Sequence, residues 1–128
     1  MEITKAMKGR AEVLVQKKDS AKAMGSGSLL VYATPCMAAL MEAAACDAIM
    51  SAVPEGKTTV GISMNIEHTS ATPVGMNVYA EAEVTDVSGK IITFSLKAYD
   101  EKGQIGSGTH KRCMVDSEQF LDKTYQKF

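Results

Sequence analysis

At 128 residues the chain is long enough for one domain with a sizeable hydrophobic core and too short for two. Its 14 Lys+Arg nearly cancel 15 Asp+Glu, and a formal net charge of -1 argues against an electrostatically driven nucleic-acid binder, which would carry a basic stripe. Cys36, Cys46 and Cys113 are odd in number, widely spaced and set among apolar residues, so the expectation is three buried thiols, with neither a disulfide framework nor a metal site. No apolar run approaches the ~20 residues of a membrane span, and the first residues, MEITKAMKGR, lack the apolar centre of a signal peptide. A cytoplasmic location is therefore expected. The 9 Met and absent Trp suggest a soft-walled interior.

From Ala11 to Gln16 apolar and polar residues alternate, which predicts a first strand with Ala11, Val13 and Val15 on one face. Lys17 to Ala33 is first polar and then small, with MGSGS leading into Leu29, Leu30, Val31 and Tyr32. A connection of that length inside a compact domain suits a lid or binding loop containing a helical turn, or a plain surface linker.

The stretch Thr34 to Val53, TPCMAALMEAAACDAIMSAV, predicts one long helix that stops at Pro54-Glu55-Gly56. Thr34 is the expected N-cap and Pro35 the first helical residue, where its missing N–H costs nothing. Apolar residues run almost all the way round, which predicts a helix enclosed by the rest of the protein. Glu42 and Asp47 are its only charges, and a buried carboxylate is costly unless paired, so Glu42 is the first residue to suspect of chemistry.

Thr58 to His68 places Val60, Ile62, Met64, Ile66 and His68 on one face by the period-two rule, with His68 closing the row. After the turn-forming TSATPVG of residues 69–75, Met76 to Val87 alternates with Met76, Val78, Ala80, Ala82 and Val84 inward. Ser88-Gly89 predicts a hairpin into Lys90 to Asp100, and Glu101-Lys102-Gly103 a second hairpin into Gln104 to Val115. Ser117 to Phe128 reads as a short polar helix capped by Ser117 or Asp116. The pattern is α+β: an antiparallel sheet of about five strands wrapped around one long apolar helix, its outer face meeting solvent or a second copy.

Thr34-Pro35, Met37 and Glu42 on the helix, His68 at the end of the next strand, and then Thr72-Pro73-Val74-Gly75 resemble the hotdog-fold thioesterases of the fluoroacetyl-CoA thioesterase type. Residue by residue, the resemblance implies that Thr34, Glu42 and His68 are catalytic, at the family's spacing of eight and then 26 positions. It implies a hotdog fold, acyl-CoA thioester substrates, no cofactor beyond the CoA of the substrate, and a homodimer or a tetramer of paired dimers with sites between subunits. Tyr32, Gly75, His110 and Arg112 are the expected substrate contacts, with Arg112 near the CoA or the acid portion. Gly106 and Gly108 share the face of His110 and Arg112 and admit close approach of a backbone or ligand.

Thioester cleavage suits these residue types on its own terms. A nucleophile must be activated near neutral pH, and histidine titrates closest to that range, so His68 is the candidate base. Glu42 is open to three roles: orienting that imidazole, acting as base, or attacking the carbonyl. Thr34 is open to two, nucleophile or hydroxyl donor, while free N–H groups of the first helical turn offer an oxyanion site. Eight helical residues span roughly 12 Å at ~1.5 Å each, so Thr34 and Glu42 are not expected to touch within one chain. The site is expected to be composite, with substrate between them or one residue supplied by a partner subunit.

The family's fluoroacetyl selectivity is associated with a phenylalanine in the lid, and this chain has none from Lys17 to Ala33. The expected substrate is therefore a short- to medium-chain acyl thioester rather than fluoroacetyl-CoA, with acyl carrier protein thioesters still open. Two other readings compete: a hotdog dehydratase or hydratase, which needs no threonine here, and a non-catalytic acyl-CoA binder.

Overall fold

The computed structural model describes residues 2–128. Five antiparallel strands, β1 (Lys8–Leu14), β2 (Lys57–His68), β3 (Asn77–Ser88), β4 (Ile91–Asp100) and β5 (Gly103–Asp116), form one sheet in the order β1-β3-β4-β5-β2. Helix α2 (Thr34–Ile49) lies on one face, a short helix α1 (Ala21–Met24) stands in the connection before it, and α3 (Ser117–Tyr125) ends the chain. This is the α+β arrangement expected, with the helix embraced by a curled sheet. The two tight hairpins fall at the predicted places. The link from β2 to β3 is instead a crossover from one edge of the sheet to the strand beside the other.

The core forms where the alternating rows of β3 and β4 meet the helix. Val78, Ala80, Ala82 and Val84 of β3 and Ile92, Phe94, Leu96 and Ala98 of β4 are buried with Met37, Met41, Ala44, Ala45 and Ile49 of α2. Strand β1 begins earlier than predicted, at Lys8, and brings Gly9 under the helix. A Cβ on Gly9 would overlap the Ala44 carbonyl oxygen and the Ala48 amide. Small residues on both surfaces thus let α2 settle unusually close to the β1 end of the sheet. Asp47 Oδ2 accepts from the Arg10 N–H at 2.9 Å, so the outer edge of β1 is partly closed by the same helix.

Three expectations about the helix are corrected. Ala33, not Thr34, is the N-cap; Thr34 is the first helical residue and Pro35 the second, so the threonine hydroxyl is not spent on the helix's own amides. The helix is not enclosed all round, since Ala39, Ala43, Cys46, Asp47 and Met50 are exposed along one side. The 19 residues Thr34–Ala52, with mean hydropathy 1.2, are also long and apolar enough to cross a membrane by length and composition alone. Burial of one side against the sheet accounts for that composition here. The cysteines are free, as expected, but none is fully buried and Cys46 is exposed.

Strand β2 departs from its predicted face. A bulge at Ile62, between the Gly61↔Arg112 and Ser63↔Lys111 pairs, shifts the alternation by one residue. Met64, Ile66 and His68 face the helix side as expected. Ahead of the bulge the inward positions are Thr59 and Gly61, while Ile62 is 52% exposed. In the long connection, α1 is capped by Ser20 Oγ, which accepts from Ala23 N–H at 3.1 Å, and ends at Gly25 with φ of 70°. Asp116 Oδ1 caps α3 by accepting from Gln119 N–H at 3.0 Å.

The close seat of α2 on Gly9 is testable. Gly9→Ala should destabilise the fold by ~1–3 kcal/mol or more, as overpacking does. A thermal midpoint equal to that of the parent protein would refute the close approach.

Candidate active site

Two polar clusters lie on the helix side of the sheet. The first is built where the N-terminus of α2 meets the end of β2. Chain entry to the helix is held by Tyr32 N–H donating to Thr72 O at 2.8 Å and Ala33 N–H donating to Asp19 O at 2.9 Å. This places Thr34 Oγ1 2.9 Å from His68 Nδ1. Tyr32 meets the imidazole edge-on, with ring centroids 6.3 Å apart. His68 Nε2 is buried and has no hydrogen-bond partner. Burial pushes the His68 pKa below the usual histidine value, partly offset by the nearby Ser70 backbone. A cleft of about 220 Å³ opens on this pair, lined by Ser26, Tyr32, Thr34, His68, Thr69 and Ser70 among others. The Tyr32 phenol is pushed well up by burial and then by Cys36 and Asp19, so it stays protonated near neutrality.

Of the expected oxyanion donors in the first turn of α2, most are already used. Cys36 and Met37 N–H both donate to Ala33 O, at 3.0 Å each, and Pro35 has no N–H. Among the described residues, the Thr34 amide is the donor of that turn left without an acceptor.

The second cluster centres on Arg112 of β5. Its Nε donates to Thr59 Oγ1 at 2.9 Å and its Nη2 to Thr59 O at 3.0 Å. Its Nη1 reaches Glu42 Oε2 at 3.2 Å and His110 Nε2 at 3.1 Å. His110 is buried, stacks on Phe94 with centroids 5.9 Å apart, and places Nδ1 2.8 Å from Ser63 O. Its pKa is lowered by burial and by Arg112, against opposing contributions from the Ser63 carbonyl and Glu42. The Glu42 side chain is 44% exposed, so the carboxylate is held from beneath by Arg112 and open above.

The sequence-predicted residues therefore fall into two groups. Thr34, His68 and Tyr32 come together, and Glu42, His110 and Arg112 come together. Among the described residues no hydrogen bond joins Thr34 to Glu42, in keeping with their helical separation. Gly75 stands apart: with φ of 97° it makes a turn, and its N–H donates to Val15 O at 2.8 Å. Gly106 admits Met37, whose Sδ would lie 2.8 Å from an added Cβ, and Gly108 admits the Asn65 backbone. Thr59, Gly61 and Ser63 were not singled out by sequence. A glycine amid the apolar alternation of residues 58–68 was the available sign of a bulge.

Residues 15–118 match the family model described as FlK, fluoroacetyl-CoA-specific thioesterase. The chain belongs to this family. It is 37% identical over 97 residues, 76% of this chain and 70% of the relative, to a fluoroacetyl-CoA thioesterase from Streptantibioticus cattleyicolor. A crystal structure of a fluoroacetyl-CoA thioesterase of this type superposes with a TM-score of 0.93 at 28% identity, covering 100% of this chain and 99% of that one. A threonine-to-serine mutant of such an enzyme in complex with acetyl-CoA superposes with a TM-score of 0.92 at 28% identity, covering 98% of each chain. A Thermus thermophilus thioesterase superfamily member, 23% identical with a TM-score of 0.89 over 98% of this chain and 92% of that one, shares the hotdog fold. This family member is a thioester hydrolase of hotdog fold.

Both histidines hold pKa values below their unfolded value of ~6.5, so the unfolded chain takes up protons first as pH falls. Their contribution to stability should be level above that pH and should decline as pH drops through it toward the lowered folded values. The thermal midpoint is expected to fall below pH ~6.5, and His110→Phe should lessen that fall. A midpoint independent of pH from 8 to 5 would contradict the burial of both rings.

Proposed function

We propose that the chain hydrolyses short- to medium-chain acyl-CoA thioesters to the free acid and CoA, with Thr34, Glu42 and His68 as its catalytic residues. The observation that carries this reading is the 2.9 Å contact between Thr34 Oγ1 and His68 Nδ1 at the mouth of a cleft. His68 is neutral at pH 7 because burial lowers its pKa, so Nδ1 can accept the Thr34 hydroxyl proton as Oγ1 attacks the thioester carbonyl. The Thr34 amide then donates to the developing oxyanion, and the thiolate of CoA departs with the proton held by His68. Water then attacks the acyl-threonine, losing its proton to the Glu42 carboxylate of a second copy of the chain, while His68 returns its proton to Thr34 Oγ1 as the acid leaves. That acetyl-CoA is the ligand of a related enzyme supports a CoA thioester here. The absence of phenylalanine from residues 17–33 supports an acyl preference that does not depend on fluorine.

A homodimer completes this reading. Strand β2 pairs on one side with β5 and has a free outer edge, whereas the β1 edge is covered in part by Asp47 and the helix. The exposed side of α2, with Ala39, Ala43 and Cys46 beside the single charge of Asp47, is mostly apolar and suits burial by a second copy. Such pairing brings a second set of side chains to a site whose two clusters do not touch within one chain.

Thiol release from a panel of acyl-CoAs, followed with a colorimetric thiol reagent, tests the assignment. His68→Ala and Thr34→Ala should each lower kcat by about 10²–10⁴-fold while the proteins remain folded. In the parent enzyme kcat should drop as pH falls through the lowered His68 pKa, because the base must be neutral. Full activity in His68→Ala would exclude the proposed base, and ligand-induced thermal stabilisation without thiol release from any acyl-CoA would favour a binding protein.

A further inference from the structure

Neither partner of His110 leaves its ring a choice of tautomer. The Ser63 carbonyl can only accept, so Nδ1 must carry the proton of the 2.8 Å contact. The Arg112 guanidinium can only donate, so Nε2 must be bare to receive Nη1 at 3.1 Å. The ring is immobilised against Phe94 and is 1% exposed. Arg112 is pinned on its other side by both the hydroxyl and the carbonyl of Thr59. With two sides fixed, its Nη1 offers a hydrogen bond to Glu42 Oε2 in a set direction.

The β2 bulge links these contacts. By shifting the alternation at Ile62, it turns Thr59 and Gly61 inward and leaves the Ser63 carbonyl available to the His110 ring. A Cβ on Gly61 would lie 2.5 Å from Glu42 Oε2, so a side chain there would push the carboxylate out of this position. From these contacts we infer that His110 is a positioning residue: as the Nδ1–H tautomer it fixes Arg112, and through Arg112 it aims the Glu42 carboxylate into the site. Arg112 is a positioning residue of the same kind, its donors committed within the chain. The inference rests on the assignment of Glu42 as a catalytic residue.

The test combines steady-state kinetics on an acyl-CoA substrate with nitrogen NMR of the histidine rings. His110→Phe keeps the stacked ring but neither nitrogen, and should cost about 10²-fold in kcat, the scale of a 1 Å misplacement, with little change in KM. His110→Gln, which supplies an acceptor for Arg112, should recover most of that loss. In a Glu42→Gln background, His110→Phe should cost nothing further. An equal loss on both backgrounds, or a rise in KM alone, would overturn the positioning role. The NMR arm does not depend on turnover. A neutral His110 ring with Nδ1 protonated, whose Nε2 signal moves in Arg112→Met, supports the inference, and the opposite tautomer or an unmoved signal refutes it. Absence of thiol release from the parent protein would count against the hydrolytic reading alone, and the ring nitrogens would still decide this one.

Discussion

The close approach of α2 to the β1 end of the sheet is the constraint from which the rest follows. Gly9 has no side chain, Ala80 and Ala82 have little, and the facing residues of the helix are Ala44, Ala45 and Ala48. The helix therefore lies mainly over β1 and β3 and leaves the helix-side face of β2 around Gly61 exposed. The buried polar groups beside it, His110 and Arg112, offset their desolvation by hydrogen-bonding to Ser63, Thr59 and each other. Both polar clusters lie on the β2 side of the helix: Thr34 with His68 at its start, and Glu42 with Arg112 and His110 two turns on, near its middle.

This placement accounts for a helix whose composition resembles a membrane span. Alanines supply helix propensity and slenderness together, so the helix can be long enough to carry Thr34 and Glu42 yet thin enough to lie close to the sheet. The exposed remainder of its surface carries Ala39, Ala43 and Cys46 beside one charge, Asp47. Asp47 reinforces the asymmetry by occupying an N–H of the β1 edge, so the free edge of the sheet is β2.

Much of this was legible in the sequence, because alternation at Met76–Val84 and Ile92–Ala98 and the long apolar run after Thr34 are physical statements about which faces are buried. The helix N-cap was misplaced because threonine before proline satisfies two capping rules equally well, and the choice depended on Ala33 being anchored by Asp19. The face of β2 was misread ahead of Ile62 because a bulge changes the period by one residue, and only pairing with β5 reveals it. Thr59, Gly61 and Ser63 were invisible for the same reason. Enclosure of the helix was overestimated because small alanines read as apolar whether they face the core, as Ala44 and Ala45 do, or solvent, as Ala39 and Ala43 do. The spacing of Thr34, Glu42 and His68 exposed the candidate site, whereas the division of its residues into two clusters depended on where the strands end.

The two histidines show how surroundings set two residues of one type apart. Burial lowers the pKa of both. His110 has both ring nitrogens engaged, one donating to a carbonyl and one accepting from a guanidinium, so another proton cannot enter without setting two donors against each other at Arg112. A ring in that state can hold a neighbour but cannot exchange protons. His68 has one nitrogen on the hydroxyl of Thr34 and the other unpartnered, which leaves it both a proton to receive and the freedom to receive it. Position on the strand decides the difference. His110 lies mid-strand in β5, where backbone from β2 closes over it, and His68 ends β2, where the chain turns away and a cleft begins.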